Sequence, residues 1–258
     1  MKHTLKEMTR HLLILPLMVV AVVALVLGAF APELWAHGRN HGVEELEEAE
    51  VFIEWNSTDG DFGIQFFWDS IGFTRMTVRN TRGKKVLDIK TSKNVRAQGL
   101  TEGFFESVEP DPEDLSMEEF LDRFPEGEYR FIGRSIEGGW LVGETEFTHD
   151  IPAPVDLEVD GFPSIEWTPG SGGAEIVSYE VVVEMVANES DEERVYVNTA
   201  TFPATVESFS VSPEFVRVAA DFRAAGDLLE LKVEVIATEE SGNRTITEET
   251  VWEADDEE

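Results

Sequence analysis

Residues Ile176–Met185 read IVSYEVVVEM, and the period of this run decides the fold. Tyr179, Val181 and Val183 fall on one side of an extended chain, with Ser178, Glu180 and Glu184 on the other. Alternation of period two is the mark of a β-strand that gives one face to a core. Downstream, Leu229–Glu249 reads LELKVEVIATEESGNRTITEE, two more alternating runs joined at Gly242-Asn243, a pair suited to a tight turn. Upstream, Ser164–Pro169 (SIEWTP) places Ile165 and Trp167 on one face. The expected shared core is Trp167, Tyr179, Val181, Val233 and Val235.

From Ile151 onward these runs resemble a fibronectin type III domain. Pro152 and Pro154 precede VDLEV (residues 155–159), as at the start of that fold's first strand. SIEWTP matches its second strand, IVSYEVVVEM its strand C, and the final two runs its strands F and G. The resemblance covers residues 151–256. One position departs from it: the usual strand-F tyrosine is Leu231, so the tyrosine-corner hydrogen bond of that family is missing here. No Arg-Gly-Asp tripeptide occurs, so integrin-type binding through that motif is not implied.

The first half shows the same period with different punctuation. In EVFIEWN (residues 50–56), Val51, Ile53 and Trp55 alternate with Glu50, Glu54 and Asn56, and Phe52 is the exception. Asp59-Gly60 signals a turn into IQFFWD (residues 64–69), where Ile64, Phe66 and Trp68 share a face. TRMTVRN and KKVLDIK flank Thr81-Arg82-Gly83 as a hairpin. Its outward positions, Arg75, Arg79, Lys84, Lys85 and Lys90, make the only concentrated basic surface of the chain. Residues 91–114 read as a long connection. Ser116 and Glu119 form a capping-box pattern, and Met117, Phe120, Leu121 and Phe124 share one helical face until Pro125 stops the helix. Tyr129 and Phe131 then point inward from a strand, and Gly138-Gly139 turns the chain into WLVGETEFTH (residues 140–149). A helical turn followed by Pro-x-Gly-x-Tyr-x-Phe over residues 116–131 resembles the tyrosine corner of immunoglobulin-like sandwiches, which implies that the Tyr129 hydroxyl bonds back to the backbone.

The expected architecture is therefore all-β: two tandem β-sandwich domains, immunoglobulin-like over residues 49–149 and fibronectin type III-like over residues 150–256. Both follow an N-terminal signal or anchor helix (residues 1–36) and a flexible acidic lead-in (residues 37–48). Lys2, Lys6 and Arg10 precede an apolar run from Leu12 to Ala31, and Ala36 offers a cleavage point. The run is also long enough to span a bilayer, so a cleaved secretory signal and an uncleaved anchor both stay open. Either places the rest of the chain outside the inner membrane, in the periplasm or beyond. With no cysteine, stability there must come from the hydrophobic cores rather than disulfides.

The net charge is −33, and three basic and two acidic residues up to Ala36 leave −34 on residues 37–258. Such a surface repels phosphate backbones and anionic lipid, so no nucleic-acid partner is expected, and membrane contact only through residues 12–31. It suits saline media or divalent cations. Asp59 and Asp61 are candidates to share calcium, though they lack the ligand run of an EF-hand, and turn chemistry also accounts for them.

Chemistry-bearing residues are few. Beyond Ala36 the histidines are His37, His41 and His149. If cleavage exposes His37, its amine and imidazole together with His41 offer three nitrogens that suit copper(II). His149, in FTHDIPAP, reads as a hydrogen-bonding residue that holds the two domains together. Phe66, Phe67 and Trp68 read as core rather than as a carbohydrate platform. Asn56, Asn188 and Asn243 head sequons. No G-x-S-x-G or H-E-x-x-H motif occurs. The leading reading is an exported, non-catalytic interaction, adhesion or scaffold module binding a protein or glycan partner. The alternatives are a copper-binding accessory protein built on His37 and His41 and, third, a glycan-active enzyme.

Overall fold

The computed structural model describes residues 42–110, 113–190 and 192–254. Strands dominate: β1 (Val43–Glu45), β2 (Glu48–Asn56), β3 (Phe62–Arg79), β4 (Lys85–Lys90), β5 (Leu100–Glu106), β6 (Gly127–Ser135), β7 (Trp140–Phe147), β8 (Asp156–Glu158), β9 (Ser164–Thr168), β10 (Ile176–Glu189), β11 (Glu192–Pro203), β12 (Ser208–Ser210), β13 (Leu228–Glu239) and β14 (Arg244–Glu253). Three helices interrupt them: α1 (Lys93–Gln98), α2 (Met117–Arg123) and α3 (Pro213–Ala225). The strands form two sheets that resemble tandem β-sandwiches. One, of eleven strands, runs β1-β7-β6-β3-β2-β14-β13-β10-β11, with β4 and β5 also on β3; the other is β12-β9-β8.

Two hydrophobic cores lie along this frame. The first gathers Val51, Ile53, Ile64, Phe66, Trp68, Phe73, Val78, Phe131 and Phe147. The second gathers Ile165, Trp167, Tyr179, Val181, Val183, Val233 and Val235. All five residues expected to share the second core are buried, Tyr179, Val181, Val233 and Val235 completely. Leu231, which stands where a fibronectin type III domain would carry tyrosine, is buried among them.

In the first half, the sequence predicts separate strands over residues 64–69 and 74–80. They are instead one strand, β3. Its first part pairs with β2 and β5, its second with β4 and β6, and the registers shift between Asp69 and Phe73. Trp68, near the middle of β3, stacks on Phe105 at 5.2 Å and packs against Phe73 at 5.8 Å and Phe131 at 6.0 Å. Gly103 lets β5 approach that ring, because a Cβ there would lie 2.3 Å from the indole. The expected hairpin over residues 74–90 forms, with Asn80 Oδ1 accepting from the Arg82 and Lys84 amides.

The helix over residues 117–123 forms as its capping box predicts, with Ser116 and Glu119 each accepting from the other's backbone N–H. Phe120 is buried against Phe62. Two helices escaped the sequence reading. α1 carries no buried residue, so no apolar stripe marked it. α3 has clear end signals: Ser212 accepts from Phe215 N, Pro213 opens the helix and Gly226 closes it in the left-handed conformation. The tyrosine-corner expectation is overturned: Tyr129 is fully buried, but its hydroxyl has no hydrogen-bond partner. Burial of that unbonded hydroxyl pushes its pKa up to about 12.

The two halves meet at a seam. β14 pairs in parallel with β2 through Arg244–Glu54, Thr245–Trp55 and Ile246–Asn56. Registers across β3, β2, β14, β13 and β10 put Ile53, Trp55, Thr245, Ala237 and Tyr179 on one face of the shared sheet. Both cores therefore lie on the same side of it. Asn243 fastens the seam. Fully buried, it accepts from the Ile53 amide at 2.8 Å and donates to the carbonyls of Thr148 (3.1 Å) and Asp150 (2.9 Å). Thr245 Oγ1 donates to the Pro152 carbonyl at 2.7 Å, and the Ser57 amide donates to the Ile246 carbonyl at 2.9 Å. Asn243 is thus no glycan acceptor, despite heading a sequon.

Candidate functional site

The face opposite the cores carries an unusual group of acids. Glu54 on β2 sits opposite Gly63 on β3 and Arg244 on β14, while Gln65 on β3 sits opposite Phe52 and Glu106. Alternation therefore turns Phe52, Glu54, Gln65 and Glu106 to one side. Glu109 follows just beyond β5. Its side chain lies over Gly63, where a Cβ would come within 3.1 Å of the Glu109 Cγ. Ser107 fixes this approach by accepting from the Ile64 amide at 3.0 Å. One carboxylate oxygen from each of Glu54, Glu106 and Glu109 lies within 4.8 Å of the other two.

These groups are poorly compensated. Glu54 is only 3% exposed, and its Oε2 has no hydrogen-bond partner. Gln65 is fully buried; its amide nitrogen donates to Glu106 Oε1 at 3.0 Å while its carbonyl oxygen stays unpartnered. The nearby cation, Arg244, lies over the Phe52 ring at 4.5 Å. Among the described residues no ion pair joins it to Glu54, Glu106 or Glu109. Burial raises the Glu54 pKa to about 8; Arg244 pulls it down, and Glu106, Glu109 and Glu234 push it up. Burial raises that of Glu109 to about 7, helped by Asp61, Glu106, Asp59 and Glu248. Buried like charges oppose ionisation unless a proton or cation intervenes.

The folded chain keeps the Glu54 proton to about pH 8, whereas the unfolded chain releases it near 4.5. The unfolded state therefore binds fewer protons over that window, and stability falls as pH rises through it. The loss, complete above the folded pKa, is on the order of a few kcal/mol at 1.36 kcal/mol per unit. Glu54→Gln removes this loss. The variant should melt above the parent at pH 8 in chelator, and the difference should vanish near pH 4.5 in thermal scans.

The residues singled out from sequence fall elsewhere. His37 and His41 lie outside the described residues. His149 does not bridge the halves: its Nε2 lies 2.7 Å from the Phe124 carbonyl and its amide donates to Glu126 at 2.8 Å, both in the first half. Proximity in sequence to the Pro-rich junction points to a bridging role, but the neighbouring Thr148, whose carbonyl accepts from Asn243, fills it. Asp59 sits in the turn after β2, where Asn56 Oδ1 accepts from the Thr58 and Asp59 amides. The like charges of Asp61 and Asp59 help raise the Glu109 pKa. Phe66, Phe67 and Trp68 are all buried, which removes the carbohydrate-platform reading. The one sequence signal for Glu54, Glu106 and Glu109 is Phe52, an apolar residue on the side of β2 that the alternation assigns to solvent.

No protein-family model matches the chain, and no curated protein matches it. Several solved structures are similar to it at low identity. One is from work on host-cell surface retention of a 1.5-MDa bacterial ice-binding adhesin, with 13% identity, a TM-score of 0.25, 81% of this chain covered and 64% of that one. A two-domain fibronectin type III segment of chicken tenascin gives 11%, 0.26, 80% and 98%. The BSP domain of a biofilm-associated protein gives 16%, 0.25, 82% and 30%. The chain thus spans less than two thirds of the first and third of these. At such scores the likeness supports nothing beyond itself, and the functional reading rests on the residues.

Proposed function

We propose that the chain is an exported, non-catalytic interaction or scaffold module that presents its loops to a protein or glycan partner. The observation that carries this is the seam. Backbone pairing of β2 with β14 and the bonds that join Asn243 to Ile53 and Thr148, and Ser57 to Ile246, hold two cores in one relation. A fixed spacing between two β-layers is what a presenting scaffold requires. Strand order supports a fibronectin type III-like second half: β8, β9 and β12 stand as strands A, B and E, and β14, β13, β10 and β11 as G, F, C and C′. The apolar run at residues 12–31 supports export; it lies outside the described residues, among which no helix is long and apolar enough to cross a membrane. The acidic surface argues against nucleic acid.

The purified chain, immobilised on a sensor, should bind a surface glycan or exported protein saturably and release it unchanged in mass. Release of a shortened glycan or a cleaved protein overturns the non-catalytic reading. Recovery of the chain from the cytoplasmic fraction overturns export.

A further inference from the structure

We propose that Glu54, Glu106 and Glu109, together with the Gln65 carbonyl, form a calcium site beside the β2–β14 seam. Two independent features point to a ligand there. The first is spacing. Calcium binds oxygen at about 2.3–2.6 Å, so oxygens that share one ion lie no more than roughly 5 Å apart. The three carboxylates meet that limit, each with an oxygen within 4.8 Å of the other two. The second is the pair of buried acceptors left without donors, Glu54 Oε2 and Gln65 Oε1, on residues 3% and 0% exposed. Gln65 faces the same side of the sheet as Glu54 and Glu106, and it spends its amide nitrogen on Glu106 while its carbonyl oxygen has no donor. A cation held by the three carboxylates would compensate these buried acceptors.

The donor set selects the ion. It consists of hard oxygens with no nitrogen or sulfur, which suits calcium, magnesium or manganese rather than copper or zinc. Magnesium demands near-ideal octahedral geometry at about 2.0–2.1 Å, whereas calcium accepts irregular shells with wider spacing. Glu106 is exposed while Glu54 is enclosed, leaving an open side on which water completes the shell. Arg244 is the β14 register partner of Glu54. The position gives the ion a consequence. Glu54 is the β2 partner of Arg244, so calcium would brace the strand that joins the two halves. This inference is independent of the module reading and of the nature of any partner.

The test is calorimetric titration of the full chain, stripped with chelator, with calcium chloride and then magnesium chloride at constant ionic strength. One calcium per chain is expected, bound more tightly than magnesium, together with a rise in melting temperature. Glu54→Gln and Glu106→Gln should each weaken calcium binding by about 10–100-fold. Glu118→Gln, which removes an exposed acid on α2, should leave it unchanged. If Glu54→Gln fails to fold, Glu109→Gln serves in its place, since Glu109 follows β5 and belongs to no strand. Equal calcium responses in the parent and the site variants overturn the proposal in favour of screening by the acidic surface. Absence of any calcium response in the folded parent also overturns it, leaving a proton-sharing acid cluster.

Discussion

Replacing Asn243 with alanine should destabilise the folded chain by about 3–5 kcal/mol, as read from urea unfolding at neutral pH. The side chain is fully buried and uses both ends. Its oxygen accepts from Ile53 N, and its nitrogen donates to the Thr148 and Asp150 carbonyls. Alanine leaves the buried Ile53 amide without its acceptor, at roughly 1–3 kcal/mol, removes the donor from the part-buried Thr148 and Asp150 carbonyls at a smaller cost, and opens a cavity. Partial relaxation and entry of water limit the sum. Asn243→Asp separates this cause from loss of volume. It keeps the acceptor for Ile53 but sets a carboxylate against two carbonyl oxygens, so it should be at least as damaging as alanine at neutral pH. A cost below about 1 kcal/mol for both variants would show that Asn243 is not what fastens the halves.

The second half was largely legible because its strands obey one rule. Tyr179, Val181 and Val183 alternate with mostly polar neighbours, and the turn at Gly242-Asn243 stands between two such runs. The sequence could not show that Asn243, a good turn residue, also reaches 190 positions back to Ile53; local chemistry explains a turn asparagine fully, so nothing marks it as long-range. In the first half, Phe52 in EVFIEWN broke the alternation, and that break was informative. β2 is buried on both faces, since Phe52 is 2% exposed beneath Arg244 and beside the turn at Gly242. Phe67 breaks the pattern on β3 in the same way. Glu54 then becomes a buried acid rather than a solvated one. Its partners Glu106 and Glu109 come from more than fifty residues away, and among 53 acids no local signal distinguishes them.

Trp167→Ala should cost about 3–5 kcal/mol, the range for removing a large buried aromatic side chain. Trp167 is 2% exposed and meets Tyr179 edge-on at 5.5 Å and Phe202 at 6.2 Å. It belongs to the three-stranded sheet, and its ring reaches the residues of the facing sheet. The indole N–H has no hydrogen-bond partner, so the loss is one of packing alone. Trp167→Phe should recover much of it, because the smaller ring restores part of the contact and removes the buried unbonded N–H.

The seam makes the effect of this substitution reach across the molecule. The amides of Ile53 and Ser57 belong to the first half, but their acceptors, Asn243 Oδ1 and the Ile246 carbonyl, belong to the second. The decisive measurement is native-state hydrogen exchange on the full chain with and without Trp167→Ala. Opening of the second half should become more frequent, and the Ile53 and Ser57 amides should exchange about a hundredfold faster, the factor that corresponds to roughly 3 kcal/mol. The Val78 amide, in β3 where it pairs with β6, should keep its rate. If Val233 in the second core accelerates while Ile53 and Ser57 do not change, the two halves are not fastened through Asn243 and β14, and the account of one seam-joined module is wrong.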